Sequence, residues 1–278
     1  MSAIQFEIFP APEKLKNDIE CFRIMNYTHP GEIAIRVCPS GFPGIAFQHH
    51  NGKSVITSIR TPSEDTINIP TLFLYGQVTK LSVMHFKTPF FAMQAIFKPH
   101  ALKTFLDIDA STLTNKSLAP QEFGAEKLNK QLIQANSDQE KITLLSDFLI
   151  SKQSQMIERD VRVEEGLSFI QENIGAITVE DLREYMRLPE RQLERRFKQV
   201  VGVSPQFYIR VKRINAAMKL MDSGQYGQLV DIAHALNFHD QSHFIRDIKE
   251  FSGIAPKSIL QKVNDFHHDR AGSSYTYI

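Results

Sequence analysis

Residues 190–205 read ERQLERRFKQVVGVSP, and residues 241–256 read QSHFIRDIKEFSGIAP. When the chain is slid along itself by 51 residues, these two stretches come into line, and several charged, glycine and proline positions match. The matched pairs are Arg195 with Arg246, Lys198 with Lys249, Gly202 with Gly253, and Pro205 with Pro256. A repeat of this length predicts two copies of one supersecondary unit.

Each copy has the order of a helix-turn-helix. In the first copy, Thr178 followed by Asp181 is an N-cap signal and predicts a short helix. Pro189 ends the turn, and a second helix is predicted from there to Gly202, because glycine readily adopts the left-handed conformation that terminates helices. Ser204 then caps a long helix that runs to about residue 222. The sequence therefore predicts two helix-turn-helix units joined by a stiff linker helix.

The second helix of each unit presents a polar face opposite its apolar stripe. In the first unit that stripe is Leu193, Phe197 and Val200, spaced for one side of a helix. Arginine suits the guanine edge, glutamine suits adenine, glutamate accepts from cytosine, and an aliphatic tip contacts the thymine methyl, while lysine and histidine reach phosphates. The candidate DNA-binding residues are Arg191, Glu194, Arg195, Lys198, Gln241, Ser242, His243, Ile245, Arg246 and Lys249. The alternative is a helical interaction domain with a solvated basic face.

Charge supports nucleic-acid binding only locally. The chain has 32 Lys and Arg against 31 Asp and Glu, a net charge of +1. Residues 187–213 carry a net charge of +6. We refer to their basic residues as the basic cluster: Arg187, Arg191, Arg195, Arg196, Lys198, Arg210, Lys212 and Arg213.

The N-terminal half has the period of β-structure. Short apolar or alternating runs between turn signals predict strands at 33–37, 45–49, 55–59, 72–78, 81–86 and 90–97, forming an antiparallel barrel or sandwich. Helices are predicted at 100–106, 125–134 and 139–152. The apolar stripe of the last pair either forms a dimer interface or covers the sheet, and the strand aromatics either pack as core or line a small-molecule pocket.

Several classes of protein are disfavoured. The N-terminus lacks an apolar segment, so we expect neither a signal peptide nor an anchor, and no run is long enough to span a membrane. Cys21 and Cys38 are too few for a disulfide scaffold, which predicts reduced thiols and a cytoplasmic protein. No metal triad or acid–base constellation is evident in residues 1–150. We therefore expect no cofactor, metal or enzymatic activity, the alternative being a cupin-type enzyme fused to a DNA-binding domain.

The repeated units resemble the AraC/XylS family of bacterial transcription regulators over about residues 163–263. The residues that carry the resemblance are Leu193, Glu194, Arg195, Arg196, Phe197, Lys198, Gly202, Val203, Ser204, Pro205, Tyr208, Arg213, Ala217 and Leu220, then Ile232, Ala233, Phe238, Asp240, Gln241, Ser242, Phe244, Arg246, Phe251, Gly253 and Pro256. Arg183, Pro189 and Asn237 depart from the pattern, which usually has a small residue, a serine cap and a glycine at those positions.

This resemblance implies an α+β protein. An N-terminal cupin-like antiparallel β domain with a helical pair, residues 1–155, would sense an effector and dimerise. An all-α DNA-binding domain, residues 156–268, would follow, with a tail at 269–278. The implied partners are double-stranded promoter DNA, RNA polymerase, a small-molecule effector and a second copy of the chain. A regulator that needs no ligand is the alternative.

Overall fold

The computed structural model describes residues 5–61, 64–153, 159–224, 226–238, 240–261, 266–268 and 274–277. The N-terminal half is an antiparallel sheet with flanking helices, and the C-terminal half consists mainly of helices. The α+β class predicted from the sequence is confirmed.

The sheet contains ten strands within the described residues. They are β1 (Gln5–Pro10), β2 (Ile19–Val37), β3 (Gly44–His49), β4 (Ile56–Arg60), β5 (Asp65–Thr66), β6 (Leu72–Tyr75), β7 (Ser82–Phe97), β8 (Ser117–Leu118), β9 (Phe266–His268) and β10 (Ser274–Tyr277). The strand order is β8-β6-β3-β7-β2-β10-β9, with β1 on β2 and with β4 on both β5 and β7. All these pairings are antiparallel.

Two long strands form the spine of the sheet. β2 and β7 pair along nearly their whole length, with a register shift between Tyr27 and Gly31. β7 merges the two strands predicted at 81–86 and 90–97, and β2 extends the strand predicted at 33–37 back to Ile19. The prediction of separate short strands was wrong there, and β1 was not predicted.

The main core lies between one face of the sheet and three helices, α1 (Ala101–Leu106), α2 (Glu126–Gln134) and α3 (Asp138–Gln153). Phe22, Phe47 and Phe97 from the strands form one buried cluster with Leu132 of α2 and Leu145 of α3. The apolar stripe of the helical pair therefore covers the sheet, which is one of the two outcomes that the sequence left open.

The opposite face of the sheet buries a second cluster, because alternate residues of a strand point to opposite sides. It contains Phe73, Phe86 and Phe90. A cavity of about 50 Å³ lies beside the first two of these rings. The aromatic residues are thus mainly core, and the cavity has room for only about one or two water molecules.

The C-terminal half contains α4 (Val161–Glu172), α5 (Val179–Met186), α6 (Glu190–Val201), α7 (Pro205–Ser223), α8 (Leu229–Ala235), α9 (Gln241–Ser252) and α10 (Pro256–Leu260). The long helix α7 contributes to two cores. Tyr208 and Ile209 pack with α4, α5 and α6, whereas Ile214 and Met218 pack with α8 and α9. The two predicted helix-turn-helix units and their linker helix are therefore present.

The end of the chain returns to the N-terminal sheet. β10 pairs with the last residues of β2, with Tyr275 opposite Val37, and β9 pairs with β10. Neither the pairing of β10 with β2 nor that of β9 with β10 was predicted. Within the described residues, no helix combines the length and apolar character needed to cross a membrane.

Candidate nucleic-acid interface

The first unit begins at a complete capping box. The Thr178 hydroxyl accepts a hydrogen bond from the Asp181 amide at 3.1 Å, and the Asp181 carboxylate accepts one from the Thr178 amide at 2.8 Å. The N-cap signal predicted from the sequence is confirmed. Two orphan amides at the start of α5 are satisfied in this way, which stabilises the helix at that end.

The second helix of each unit is held by the same apolar spacing. Leu193 and Phe197 of α6, and Phe244 and Ile248 of α9, are all at 0% exposure. Each helix ends at a glycine in the left-handed conformation, as predicted. The spacing of these buried residues fixes the direction in which the rest of each helix points.

The exposed faces carry the candidate DNA-binding residues. In α6, Arg191, Arg195 and Lys198 are exposed, while Glu194 is half-buried and its carboxylate lies 3.4 Å from the Lys198 ammonium. In α9 the candidates are all exposed, and they are Gln241, Ser242, His243, Ile245, Arg246 and Lys249. Both helices therefore present an exposed Arg–Lys pair at equivalent positions of the repeat.

Ile245 and His243 add two different chemistries to the α9 face. Ile245 is 37% exposed, an unusual position for a large aliphatic side chain. His243 lies 3.6 Å from the buried Asp247 carboxylate, one turn further along the helix. An aliphatic tip next to Arg246 offers a methyl-sized contact surface that α6 lacks.

Four of the eight side chains of the basic cluster make contacts within the molecule and do not belong to this exposed face. Arg196 donates to Asp160 at 2.9 Å, and Arg210 donates to Asp247 at 2.9 Å and to Glu250 at 2.7 Å. The four remaining members with exposed side chains are Arg187, Arg191, Arg195 and Lys198. Counting charges along the sequence therefore overestimates the charge that this surface can offer to a phosphate backbone.

The other two engaged members lie on α7. The Arg213 guanidinium donates to the Ile177 carbonyl at 2.7 Å. The Lys212 ammonium lies 4.0 Å from the centre of the Phe42 ring, and burial lowers the pKa of Lys212 to about 8. Both side chains serve packing within the molecule rather than the exposed face.

An ion pair anchors the second helix of each unit, and neither pair was predicted from the sequence. Residues 196 and 247 occupy the same position of the 51-residue repeat. Arg196 is paired with Asp160, just before α4, whereas Asp247 is paired with Arg210 of α7. The two units thus use the same position with opposite charges, and the sequence signal for this was the Arg-to-Asp change next to the matched Arg195 and Arg246.

The three departures from the expected pattern have local explanations. Arg183 pairs with Glu180 on the surface of α5. Pro189 is the N-cap of α6 and gives no side-chain cap. Asn237 has φ of 50°, so it adopts the left-handed conformation expected of the glycine that it replaces.

No metal site emerges from the described residues, which contain no group of three or more His, Cys, Asp or Glu side chains that could hold an ion. His49 and His100 belong to the N-terminal half, and Asp18 lies 3.1 Å from the His100 ring. His239, four residues before His243, lies outside the described residues.

Two family models match parts of the chain. A model described as a helix-turn-helix domain covers residues 182–262. A model described as a domain of unknown function (DUF6597) covers residues 7–119.

Among characterised relatives, the transcriptional activator AarP of Providencia stuartii is 30% identical over 104 residues, covering 37% of this chain and 75% of AarP. The transcriptional activator RhaS of Pectobacterium atrosepticum is 35% identical over 79 residues, and that match spans 28% of each protein. ToxT of Vibrio cholerae O395 has a TM-score of 0.47 and 15% identity, covering 86% of this chain and 96% of that one. A structural likeness at that level supports no inference about function.

Proposed function

Because the chain belongs to the AraC/XylS family of helix-turn-helix transcription regulators, we propose that it binds double-stranded promoter DNA sequence-specifically and regulates transcription. The observation that carries this proposal is the pair of exposed arginine and lysine side chains at matching repeat positions of α6 and α9. One polypeptide with two such helices places both in successive segments of the major groove.

The side chains divide into those that read bases and those that position the protein. Arg191, Glu194 and Arg195 of α6 would read base edges. In α9 the same role would fall to Gln241, Ser242, Ile245 and Arg246. Lys198, Lys249 and His243 would contact phosphates, which contribute affinity without sequence information.

Footprinting and titration on the promoter site test this assignment. We expect Arg195→Ala and Arg246→Ala each to lose about 1–3 kcal/mol on the specific site and to relax specificity at the base that each contacts. Arg60→Ala, an exposed arginine on β4, is the matched control and should bind as the wild type does. Normal footprints from both recognition-helix variants would show that the assignment of these helices is wrong.

A ligand or partner at the N-terminal domain would set the activity. The N-terminal domain contacts the first helix-turn-helix unit at Gly202 and the second at Gly253. These contacts support the idea, since a displacement of the N-terminal domain would also displace the units that it touches. The cavity of about 50 Å³ is far below the roughly 300–1,000 Å³ of usual ligand pockets, so a small-molecule effector that binds there would have to enlarge it.

Thermal-shift measurements on the full chain with a panel of small metabolites distinguish this regulator from one that needs no ligand. A compound that raises the midpoint of unfolding and also changes the footprint supports effector control. A compound that binds but leaves DNA affinity unchanged favours the ligand-independent alternative.

The remaining partners are proposed on the family relationship. RNA polymerase would be recruited or positioned at the promoter, the chain would act in the cytoplasm, where bacterial promoter DNA lies, and it would have no enzymatic activity. A homodimer is also proposed. Sedimentation of the full chain with and without promoter DNA tests the stoichiometry.

A further inference from the structure

The C-terminal end of α6 rests on the N-terminal domain. The hydroxyl of Thr114 donates a hydrogen bond to the carbonyl of Gly202 at 2.5 Å. A Cβ at Gly202 would lie 3.0 Å from the carbonyl oxygen of Ala110. The last turn of the first recognition helix is therefore in close contact with the chain just after α1.

The C-terminal end of α9 rests on the same domain at a different place. A Cβ at Gly253 would lie 2.9 Å from the side chain of Leu81 and 3.4 Å from that of Arg36. Cys38 is buried in the core of the second unit, and Leu81 packs against that core. Because Gly202 and Gly253 are equivalent in the repeat, the N-terminal domain touches both units at the same structural point.

The linker helix is held between these two contacts. Asn215 of α7 is buried and donates to the carbonyls of Pro39 and Ser40, at 3.1 and 3.3 Å. Gly41, at φ of 80°, packs closely against α7, since a Cβ there would lie 3.3 Å from the side chains of Tyr208 and Lys212. One loop of the N-terminal domain therefore lies against the middle of α7.

We propose that the N-terminal domain is a brace that fixes the separation of the two recognition helices, so that it selects the spacing between the two half-sites on DNA. The brace consists of three contacts, Thr114 with Gly202, the 39–41 loop with Asn215, and Leu81 with Gly253. This inference rests on the proposed function, because it assumes that both helices engage DNA.

The physical reason is pre-organisation. Two units joined by one helix can bend relative to each other, and binding the second unit then costs orientational freedom. The N-terminal domain contacts both units and the helix between them, so it removes that freedom before DNA binds. It raises the effective concentration of the second unit at a correctly spaced half-site and lowers it at a wrongly spaced one.

The test compares DNA carrying both half-sites with DNA carrying either one alone, using the full chain. The ratio of the two affinities measures how well the second unit is positioned, and for the wild type we expect about 100-fold. Thr114→Val, which replaces the hydroxyl with a methyl group that cannot donate to Gly202, and Leu81→Ala, at the other unit, should each lower that ratio by about 10-fold. Affinity for each single half-site should stay the same.

A site whose half-sites are moved apart by about 5 base pairs, roughly half a turn, adds a second readout. The wild type should discriminate against it strongly, and both variants should discriminate less. Thr143→Val, at an exposed threonine of α3, is the matched control. Circular dichroism and thermal unfolding identify a variant that fails to fold, and because the two variants lie at opposite ends of the brace, either one suffices for the test.

The outcomes separate the two ideas. An unchanged ratio in folded variants would overturn the brace, and so would a rise in affinity for the correctly spaced site, since that would make the contacts a restraint on binding. If the wild type fails to bind DNA carrying both half-sites specifically, then the proposed function itself is wrong.

Discussion

Arg196 in the first unit and Asp247 in the second occupy equivalent positions of the repeat but carry opposite charges. Each forms an ion pair with a different neighbour. Asp247 is 3% exposed, so its carboxylate depends on Arg210 for most of its stabilisation. Arg196 is more exposed, and its partner Asp160 also caps α4 through the Val163 amide. These contacts set where the proposed DNA-contacting residues of each helix point, although the paired residues are not among them.

Arg210→Ala should therefore destabilise the second unit by roughly 1–3 kcal/mol, because it leaves the Asp247 carboxylate buried with too few partners. Urea unfolding monitored by circular dichroism measures the loss. The double variant Arg210→Ala with Asp247→Asn removes the stranded charge and should recover part of the stability. If the single variant is as stable as the wild type, the pair makes no net contribution.

Asp18 carries a prediction about acid stability. Burial alone would raise the pKa of Asp18, but hydrogen bonds and charge from His100 and Arg159 outweigh it and hold the pKa below its ordinary value of 3.8. A carboxyl with a depressed folded pKa stabilises the protein above its unfolded pKa, and this contribution is lost as pH falls through the folded value.

The wild type should thus be more stable than Asp18→Asn at neutral pH, and the difference in unfolding free energy should shrink below about pH 4. Gln153 also donates to this carboxylate and is retained in the variant, so the amide keeps a hydrogen-bonding neighbour. Chemical denaturation of both proteins at neutral and acidic pH checks the trend. A constant difference across that range would mean that folding does not lower the pKa of Asp18.

At the scale of single residues, the sequence predicted the exposed faces well and the ion pairs not at all. Helical periodicity is local, so Leu193 and Phe197 are enough to orient α6 and to place Arg195 on the outside. The partners of Arg196 and Arg210 lie 36 and 37 residues away. No spacing rule identifies a contact at that separation.

Among elements, the two units begin differently. Thr178 and Asp181 form a capping box at α5, whereas Gln228, the N-cap of α8, makes no side-chain cap although Asp231 stands three residues later. The two helices thus differ at the N-cap residue, which completes the capping box in α5 but not in α8. The second unit therefore lacks a stabilising feature that a single substitution would supply.

Gln228→Thr should stabilise the second unit by about 0.5–1 kcal/mol, because the threonine hydroxyl can accept from a free amide of α8. Thr178→Gln is the reciprocal change and should cost the first unit about 1 kcal/mol. Hydrogen exchange of the amides in the first turn of each helix reports both effects separately. Equal exchange in wild type and variants would show that the caps contribute nothing.

Element prediction succeeded for helices and was weaker for strands. The caps at Thr178 and Ser204 and the terminator at Gly202 are encoded within a few residues, and all three are where the sequence predicts them. β1 exists only because it pairs with β2, and the middle of β2 is exposed, which hides its apolar alternation. Strands that depend on distant partners leave a weaker local pattern.

For the molecule as a whole, the arrangement of the domains could not have been predicted. Asn215 reaches carbonyls that are more than 170 residues earlier in the chain, and β10 joins the edge of β2. Contacts between the two halves of the chain engage cations and polar groups that the sequence alone would assign to DNA binding. Lys212 is the clearest case, since it lies in the basic cluster but packs on Phe42.

The salt dependence of DNA binding tests this redistribution of charge. Each phosphate neutralised contributes about −0.9 to the slope of log K against log salt. If the exposed cations of α6 and α9 all displace counterions, whether they contact bases or phosphates, and no other cation takes part, the slope should be about −4 to −5, with engaged side chains such as Arg210 adding nothing. Lys249→Ala should reduce its magnitude by about 1 on specific and unrelated DNA alike.

Lys127→Ala, an exposed lysine on α2, is the control and should leave the slope unchanged. Fluorescence anisotropy over a range of salt concentrations measures both variants on the same DNA. A wild-type slope near −6 would indicate that the ion pairs of Arg196 and Arg210 open on DNA, since these two cations would then displace about two more counterions than the exposed cations of the two helices do. In that case the pairs that hold α6 and α9 in the free protein would be exchanged for phosphate contacts, and Arg210→Ala would lower the slope as Lys249→Ala does.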